Sequence, residues 1–492
     1  MTIPKLKTLV RQYMVKKGLF ASHAVTFADA YIIDETSRIN KRSDIKNLSV
    51  SLAPHIKLNI PIVSANMADV TESAMAIALA RLGGIGFIHQ FLPLKKRVEE
   101  VEKVKRADNE MIKNPWTVTP DNSFLDTENM MSKKGISGVL VVDREGRLKG
   151  IISSRDTRFI RYKYGEKIEK LFVKDIMTPL PLITALPTIT TTEAVALLQK
   201  HKVEKLPLVD HKGRLKGLIT AKDILKKVQF ENAARDKKGR LLVGATVGVS
   251  HGVLEETEAL IGAGADIILV DTARANSYLA VDAVRMIRKG FSKVALVVGN
   301  VDTPEGALLL VKAGADGVKV GIGPGSACKT RIETGVGVPQ LTAIAECAAI
   351  TKAHDASLIA DGGISTGGEF AKALVAGADS VMLGGLFAGT EESPGEVYYD
   401  AGERFKVYRG SAALDTQISR VEAGDLDHVR APEGVSRKVS YKGESVEEII
   451  KGLLGNVRSS MSYADAFTVK EFQERKFRLQ SEAGHFEGRA KI

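Results

Sequence analysis

A chain of 492 residues with 44% hydrophobic and 26% charged residues is too long for one ordinary domain and too apolar for disorder, so a large core domain plus an insertion or second module is expected. Its formal charge of +11 is dispersed, with Lys and Arg interleaved among Asp and Glu, which describes a solvated surface and gives no nucleic-acid motif. No apolar run approaches the length of a membrane span, no apolar leader precedes Lys17, and Cys328 and Cys347 alone build neither a disulfide framework nor a four-thiolate zinc site, so a cytoplasmic protein without membrane segments is expected.

In chain order, short β-branched runs occur near 62–67, 85–89, 241–247, 267–271, 295–300, 318–321, 358–361 and 381–384. Three of them follow one repeated phrase: Ala263-Gly-Ala-Asp266, Ala313-Gly-Ala-Asp316 and Ala376-Gly-Ala-Asp379. Each phrase reads as a helix ending at a left-handed glycine, then a strand. Alternation with helical stretches predicts a parallel α/β sheet, and the number of runs favours a closed (β/α)8 TIM barrel over an open doubly wound sheet.

A second repeat interrupts this pattern after the second strand. Val142-Asp-Arg-Glu-Gly-Arg-Leu-Lys-Gly150 recurs as Val209-Asp-His-Lys-Gly-Arg-Leu-Lys-Gly217, and Asp156 recurs as Asp223 at the same offset. Each copy predicts a strand, an Asp-x-x-Gly turn, a second strand, and a helix opening at Ser153 or Thr220 with Asp three residues on. The pair resembles tandem cystathionine-β-synthase (CBS) domains, a nucleotide-sensing module. That resemblance implies ATP or GTP binding with Asp156 and Asp223 on the ribose; as plain helix caps the two aspartates would be structural. The expected division is 1–113 and 229–492 for the barrel, with 114–228 as the insertion.

Barrel chemistry collects at the C-terminal ends of strands. The richest such end is Gly321-Ile-Gly-Pro-Gly-Ser-Ala-Cys-Lys-Thr-Arg-Ile-Glu-Thr-Gly-Val-Gly-Val-Pro-Gln340. Gly321, Gly323 and Gly325 allow tight turns, Ser326 offers a hydroxyl and an amide to phosphate, and Cys328 near Arg331 reads as a nucleophile. Cys347, in an apolar helical pattern, reads as core.

This loop is similar to the active-site loop of the IMP dehydrogenase/GMP reductase family. So are Asn59-Ile-Pro-Ile-Val-Ser-Ala-Asn-Met67, Gly83-Gly-Ile-Gly-Phe-Ile-His89, Gly299-Asn300, Ala360-Asp-Gly-Gly-Ile364, Met382-Leu-Gly-Gly385, Gly389-Thr-Glu-Glu-Ser-Pro-Gly395 and Tyr408-Arg-Gly410, and the CBS insertion has the family's placement. The resemblance implies that Cys328 attacks C2 of a purine nucleotide during hydride transfer with NAD(P). Asp361 then holds the ribose hydroxyls. Ser326, Gly363, Gly384, Gly385 and Tyr408 surround the 5′-phosphate, with Gly410 beside them and Met67 against the base. Asp271 and Asn300 face the dinucleotide, although Arg274 departs from the family's usual segment. Carbonyls of Gly323, Gly325 and Cys328 are the potassium positions of the dehydrogenases, and assembly into tetramers or octamers follows the family.

Two reaction directions compete. A dehydrogenase oxidises IMP with NAD and hydrolyses the adduct to XMP, using an Arg-Tyr pair on a flap. Here the flap region, 411–432, contains no Tyr; Arg420 precedes Val421 and Arg430 precedes Ala431. A reductase expels ammonia from GMP, with Thr330 and Glu433 as the proton relay, and takes hydride from NADPH. The flap and the tail 479–488 resemble the reductase branch, whereas the 389–395 stretch and the insertion resemble dehydrogenases, many of which also carry Glu433, and Ser411-Ala412 replaces the Met of both. GMP reductase is the expected activity, with IMP dehydrogenase as the alternative and a catalytically inactive nucleotide-binding regulator as a third reading. The terminal Ala490-Lys-Ile492 is a poor peroxisomal signal.

Overall fold

In the computed structural model, which describes all residues except 21–22, 109–110, 250–251, 423–430, 482 and 485–492, all eight expected runs carry strands of one closed parallel barrel. In chain order these are β1 (Ile62–Ser64), β2 (Ile85–Ile88), β3 (Gly244–Val247), β4 (Ile267–Asp271), β5 (Ala295–Val301), β6 (Gly317–Val320), β7 (Ser357–Asp361) and β8 (Ser380–Leu383). Each pairs with its neighbour, and closure comes from β8 on β1, where Val381 faces Ile62. The strands are continuous apolar runs because helices cover their outer faces while side chains fill the interior.

The Ala-Gly-Ala-Asp phrase does two jobs. Gly264, Gly314 and Gly377 take φ of 106°, 114° and 121°, which ends each helix. The aspartate that follows reaches sideways to an amide within two residues of the start of a neighbouring strand: Val243 N–H donates to Asp266 at 2.8 Å, Leu296 to Asp316 at 2.9 Å and Leu358 to Asp379 at 2.8 Å. Burial pushes the Asp266 and Asp379 carboxyls up. Two strands are three residues shorter than expected. β1 stops at Ser64 and Met67 lies in the turn beyond it, its amide bonded to Ala65 O at 2.8 Å. Leu241 pairs instead with Arg235, across an Asp236–Arg240 turn in which Asp236 accepts the Lys238 and Arg240 amides.

The chain divides into one unit of Met1–Ala107 with Asn232–Ile492 and a second of Asp108–Glu231. The second unit is wider than 114–228 because Ile112 exchanges two backbone hydrogen bonds with Leu218, at 2.8 and 3.0 Å. Its repeats each give strand, turn, strand and helix: Gly138–Val142, Leu148–Ser153 and Ser154–Thr157, then Lys205–Val209, Leu215–Thr220 and Ala221–Gln229. Both turns use one device, an aspartate accepting the amide and Nε of the arginine four residues on: Asp143 with Arg147 and Asp210 with Arg214. The Arg214 contacts hold the Asp210 carboxyl down at about 2. The turns also pair with each other, Leu148 N–H to Gly213 O at 3.0 Å and Leu215 N–H to Gly146 O at 2.9 Å. Among the described residues no helix is long and apolar enough to cross a membrane.

Candidate active site

The loop after β6 is tied down at both ends. Arg331 passes through a slot left by two glycines, where a Cβ on Gly323 would lie 2.4 Å and one on Gly337 2.7 Å from its Cγ. Its guanidinium donates to Ile322 O at 2.9 Å and to Val338 O. This corrects the expectation that Arg331 serves the thiol: its fork is spent on two turn carbonyls. Farther along, Lys329 N–H donates to Glu433 O at 2.7 Å and Val435 N–H to Ala327 O at 3.0 Å, so the segment 433–435 is stitched to this loop.

That stitching assembles the chemistry. Cys328 Sγ, half-buried, lies 3.2 Å from Thr330 Oγ1, and Thr330 Oγ1 donates to Glu433 Oε2 at 2.9 Å. A carboxyl, a hydroxyl and a thiol thus lie in one chain of contacts. Cys347 is fully buried in the helix Gln340–Ala353, and burial pushes its thiol well up, which suits core.

Across the barrel mouth, Asp361 ends β7. It does not cap a helix, because the next helix, Gly367–Ala376, is capped by Thr366 and Glu369. Its Oδ2 accepts from Lys319 Nζ at 2.6 Å and Asn300 Nδ2 at 2.9 Å. Lys319 also reaches Asp271 Oδ1 at 3.0 Å. Burial opposes its charge, but Asp271 and Asp361 outweigh this and hold the ammonium above the ordinary lysine range. Sequence reasoning missed Lys319. Its signal was a lone cation inside the strand Gly317-Val-Lys-Val320.

The remaining expected residues gather where three turns meet. A Cβ on Gly362 would lie 3.0 Å from Gly325 N, one on Gly363 3.1 Å from Pro324, and one on Gly385 3.1 Å from Ser326 Oγ, so these glycines allow the 324–326, 362–363 and 384–385 turns to close around one cradle. Tyr408, buried, directs its hydroxyl at Met67 Sδ at 3.4 Å, and burial raises that phenol well above its usual range. Gly410 plays a packing part: its amide donates to Val435 O, and a Cβ there would lie 2.5 Å from Ala327 O. Asp69 and Arg409, also missed, join the turn carrying Met67 to the strand carrying Tyr408, through Arg409 N–H at 2.8 Å and Nε at 3.0 Å. A methyl on Gly384 would meet Tyr408 Oη at 2.9 Å and Met67 Sδ at 3.4 Å. Gly384→Ala is therefore expected to raise the mononucleotide KM about tenfold, the equivalent of roughly one hydrogen bond, with kcat within about twofold in steady-state assays.

In the second unit, Asp156 and Asp223 are both helix caps, but unequal ones. Asp156 accepts from Ser153 N–H and Oγ on Oδ2, both at 2.7 Å, and from Thr178 on Oδ1 at 2.9 Å. Asp223 accepts from Thr220 at 2.5 Å through Oδ2.

Residues 24–491 match the model of the IMP dehydrogenase / GMP reductase domain. The chain belongs to the IMP dehydrogenase/GMP reductase family. It is 47% identical to the inosine-5′-monophosphate dehydrogenase of Aquifex aeolicus, over 96% of this chain and 95% of that one, and 45% identical to that of Bacillus subtilis, over 92% of each. Among solved structures it resembles the GMP reductase of Trypanosoma brucei in complex with guanosine 5′-monophosphate, with TM-score 0.89 and 35% identity over 96% of this chain and 98% of that one. As a member of this family the protein is an NAD(P)-dependent oxidoreductase, and a purine mononucleotide fits as its substrate. The residues present suit a dinucleotide: Asn300 Oδ1 is buried with no partner among the described residues, beside Asp271, which also receives Gln90 Nε2 at 3.4 Å. An amide or hydroxyl donor there would satisfy that oxygen.

Proposed function

We propose that the protein is an NADPH-dependent GMP reductase, converting GMP to IMP and ammonia. The observation that carries this is the Cys328–Thr330–Glu433 relay at 3.2 and 2.9 Å. Cys328 Sγ bonds to C2 of the purine; the exocyclic C2–N bond breaks, and the amine leaves as ammonia on a proton passed from Glu433 through Thr330. A bound reduced nicotinamide supplies hydride to C2. The C–S bond then breaks, sulfur keeps the electron pair, and IMP departs. Asp361 Oδ1 takes the ribose, while the cradle of Ser326, Gly363, Gly384, Gly385 and Tyr408 takes the phosphate.

IMP dehydrogenase is the second reading, favoured by the names of the relatives at 45–47% identity. It requires a base for water. The flap sequence offers no tyrosine; the side chain of Arg420 lies outside the description, as do residue Arg430, half of the tail 479–488 and the terminal tripeptide. An inactive regulator is disfavoured by the intact relay. The deciding assay supplies GMP with NADPH, and IMP with NAD, and identifies products: one IMP and one ammonia per NADPH oxidised support the reductase, and steady formation of XMP overturns it.

Several finer readings accompany this proposal. Potassium, a hard cation that takes oxygen donors, is proposed to rest on the carbonyls of Gly323, Gly325 and Cys328. Replacing potassium by lithium is then expected to lower kcat. The inserted unit is proposed to be a CBS pair that binds ATP or GTP, with Asp223, whose Oδ1 is not used by Thr220, as the ribose acceptor, and to join homotetramers into octamers. Sedimentation with and without nucleotide tests this through a change in assembly size.

A further inference from the structure

We propose that Lys319 is a positioning residue that fixes the spacing between the mononucleotide and dinucleotide half-sites, which rests on the assignment of Asp361 to the ribose and Asp271 to the dinucleotide. The barrel register sets this up. Asp271 of β4, Gly299 of β5 and Lys319 of β6 lie in one row across three adjacent strands, and Asp361 ends β7 on the other side of Lys319. To reach β4 from β6, the lysine must cross β5. Glycine at 299 makes this possible, since a Cβ there would fall 2.5 Å from Lys319 Cβ.

One ammonium, 3% exposed, therefore holds two carboxylates that belong to different substrates. Asp361 has a second donor in Asn300, whereas Asp271, among the described residues, has beyond Lys319 the long contact to Gln90. Without the cation, two like charges would face each other across the barrel mouth, and would part or share a proton. Either response moves the groups that orient the purine and the nicotinamide, and misalignment of about 1 Å costs about 100-fold in rate. The role is exerted through the two aspartates, so its signature is in alignment more than in nucleotide affinity.

The test uses the full-length enzyme with Lys319→Met and Lys319→Arg, measuring mononucleotide Kd by calorimetry, kcat, and the primary isotope effect with NADPH deuterated at the transferred position. For Lys319→Met the expected result is GMP bound within about tenfold of wild type, kcat lower by about 100-fold, and an enlarged isotope effect as hydride transfer becomes limiting. Lys319→Arg keeps the charge but alters its reach, so it should show the same signature to a smaller extent; it also serves if the Met variant does not fold. An unchanged kcat and isotope effect per nucleotide-binding site, in whichever variant folds, would overturn the proposal. A wild-type enzyme that turns over only IMP with NAD would remove the reductase reading separately, and Lys319 would then be judged by the same signature with IMP deuterated at C2.

Discussion

Cys328→Ala is expected to lose at least ~10⁴-fold in kcat while still binding GMP, because the thiol supplies the covalent bond and the proposed ribose and phosphate contacts come from other turns. Asp361, the 362–363 and 384–385 glycine turns and Tyr408 are positioned by the barrel and by their own packing, independently of Sγ. Calorimetry with GMP and a steady-state assay separate the two effects. A purine analogue carrying a C2 electrophile should label the wild type once, at Cys328, and leave the variant unlabelled, since Cys347 is fully buried with its thiol pushed well up. Residual turnover above about 1% of wild type would show that C2 reacts without the thiol.

Glu433→Gln is expected to slow ammonia release from GMP by ~10²- to 10³-fold, the usual range for removing a general acid, yet to spare hydride exchange between IMP and NADP. The amide is nearly isosteric, and its NH2 can turn away so that Thr330 still donates to the remaining oxygen. The amide cannot deliver the proton that the departing amine needs. Hydride transfer to or from C2 requires no proton on nitrogen, so exchange of deuterium between C2 of IMP and the nicotinamide should continue. Thr330→Val cuts the same path one atom nearer the sulfur, and should give the same split between the two steps. Equal loss of both steps would place Glu433 in general support of the loop, through its carbonyl bond to Lys329, and outside proton delivery.

The barrel was legible because its signals are local. Each apolar run is buried on both faces, and the Ala-Gly-Ala-Asp phrase marks helix ends where φ is positive at glycine, so eight runs could be placed without knowing their neighbours. The contact of Cys328 with Thr330 was legible for a similar reason, since the two are two residues apart. What escaped were contacts between residues far apart in the chain. Lys319 meets Asp361 across 42 residues, visible only once β6 and β7 are paired in register, and Arg409 meets Asp69 across 340, two segments that only the folded chain brings together. The guanidinium of Arg331 could be assigned to the thiol by proximity in sequence, but the slot between Gly323 and Gly337 sends it to backbone carbonyls. The insertion's limits were drawn too narrowly, because Ile112 joins its sheet through Leu218, 106 positions later in the numbering.

The most direct test of the central claim mixes the enzyme with IMP and NADP in the absence of ammonia and follows reduced nicotinamide. If the Cys328 adduct is shielded from water and opens only to an amine, absorbance will rise by no more than about one equivalent per site and stop. Ammonium added then should release GMP and restart turnover. A continuous rise through many equivalents, with XMP accumulating, would show that this site activates water and would contradict the account.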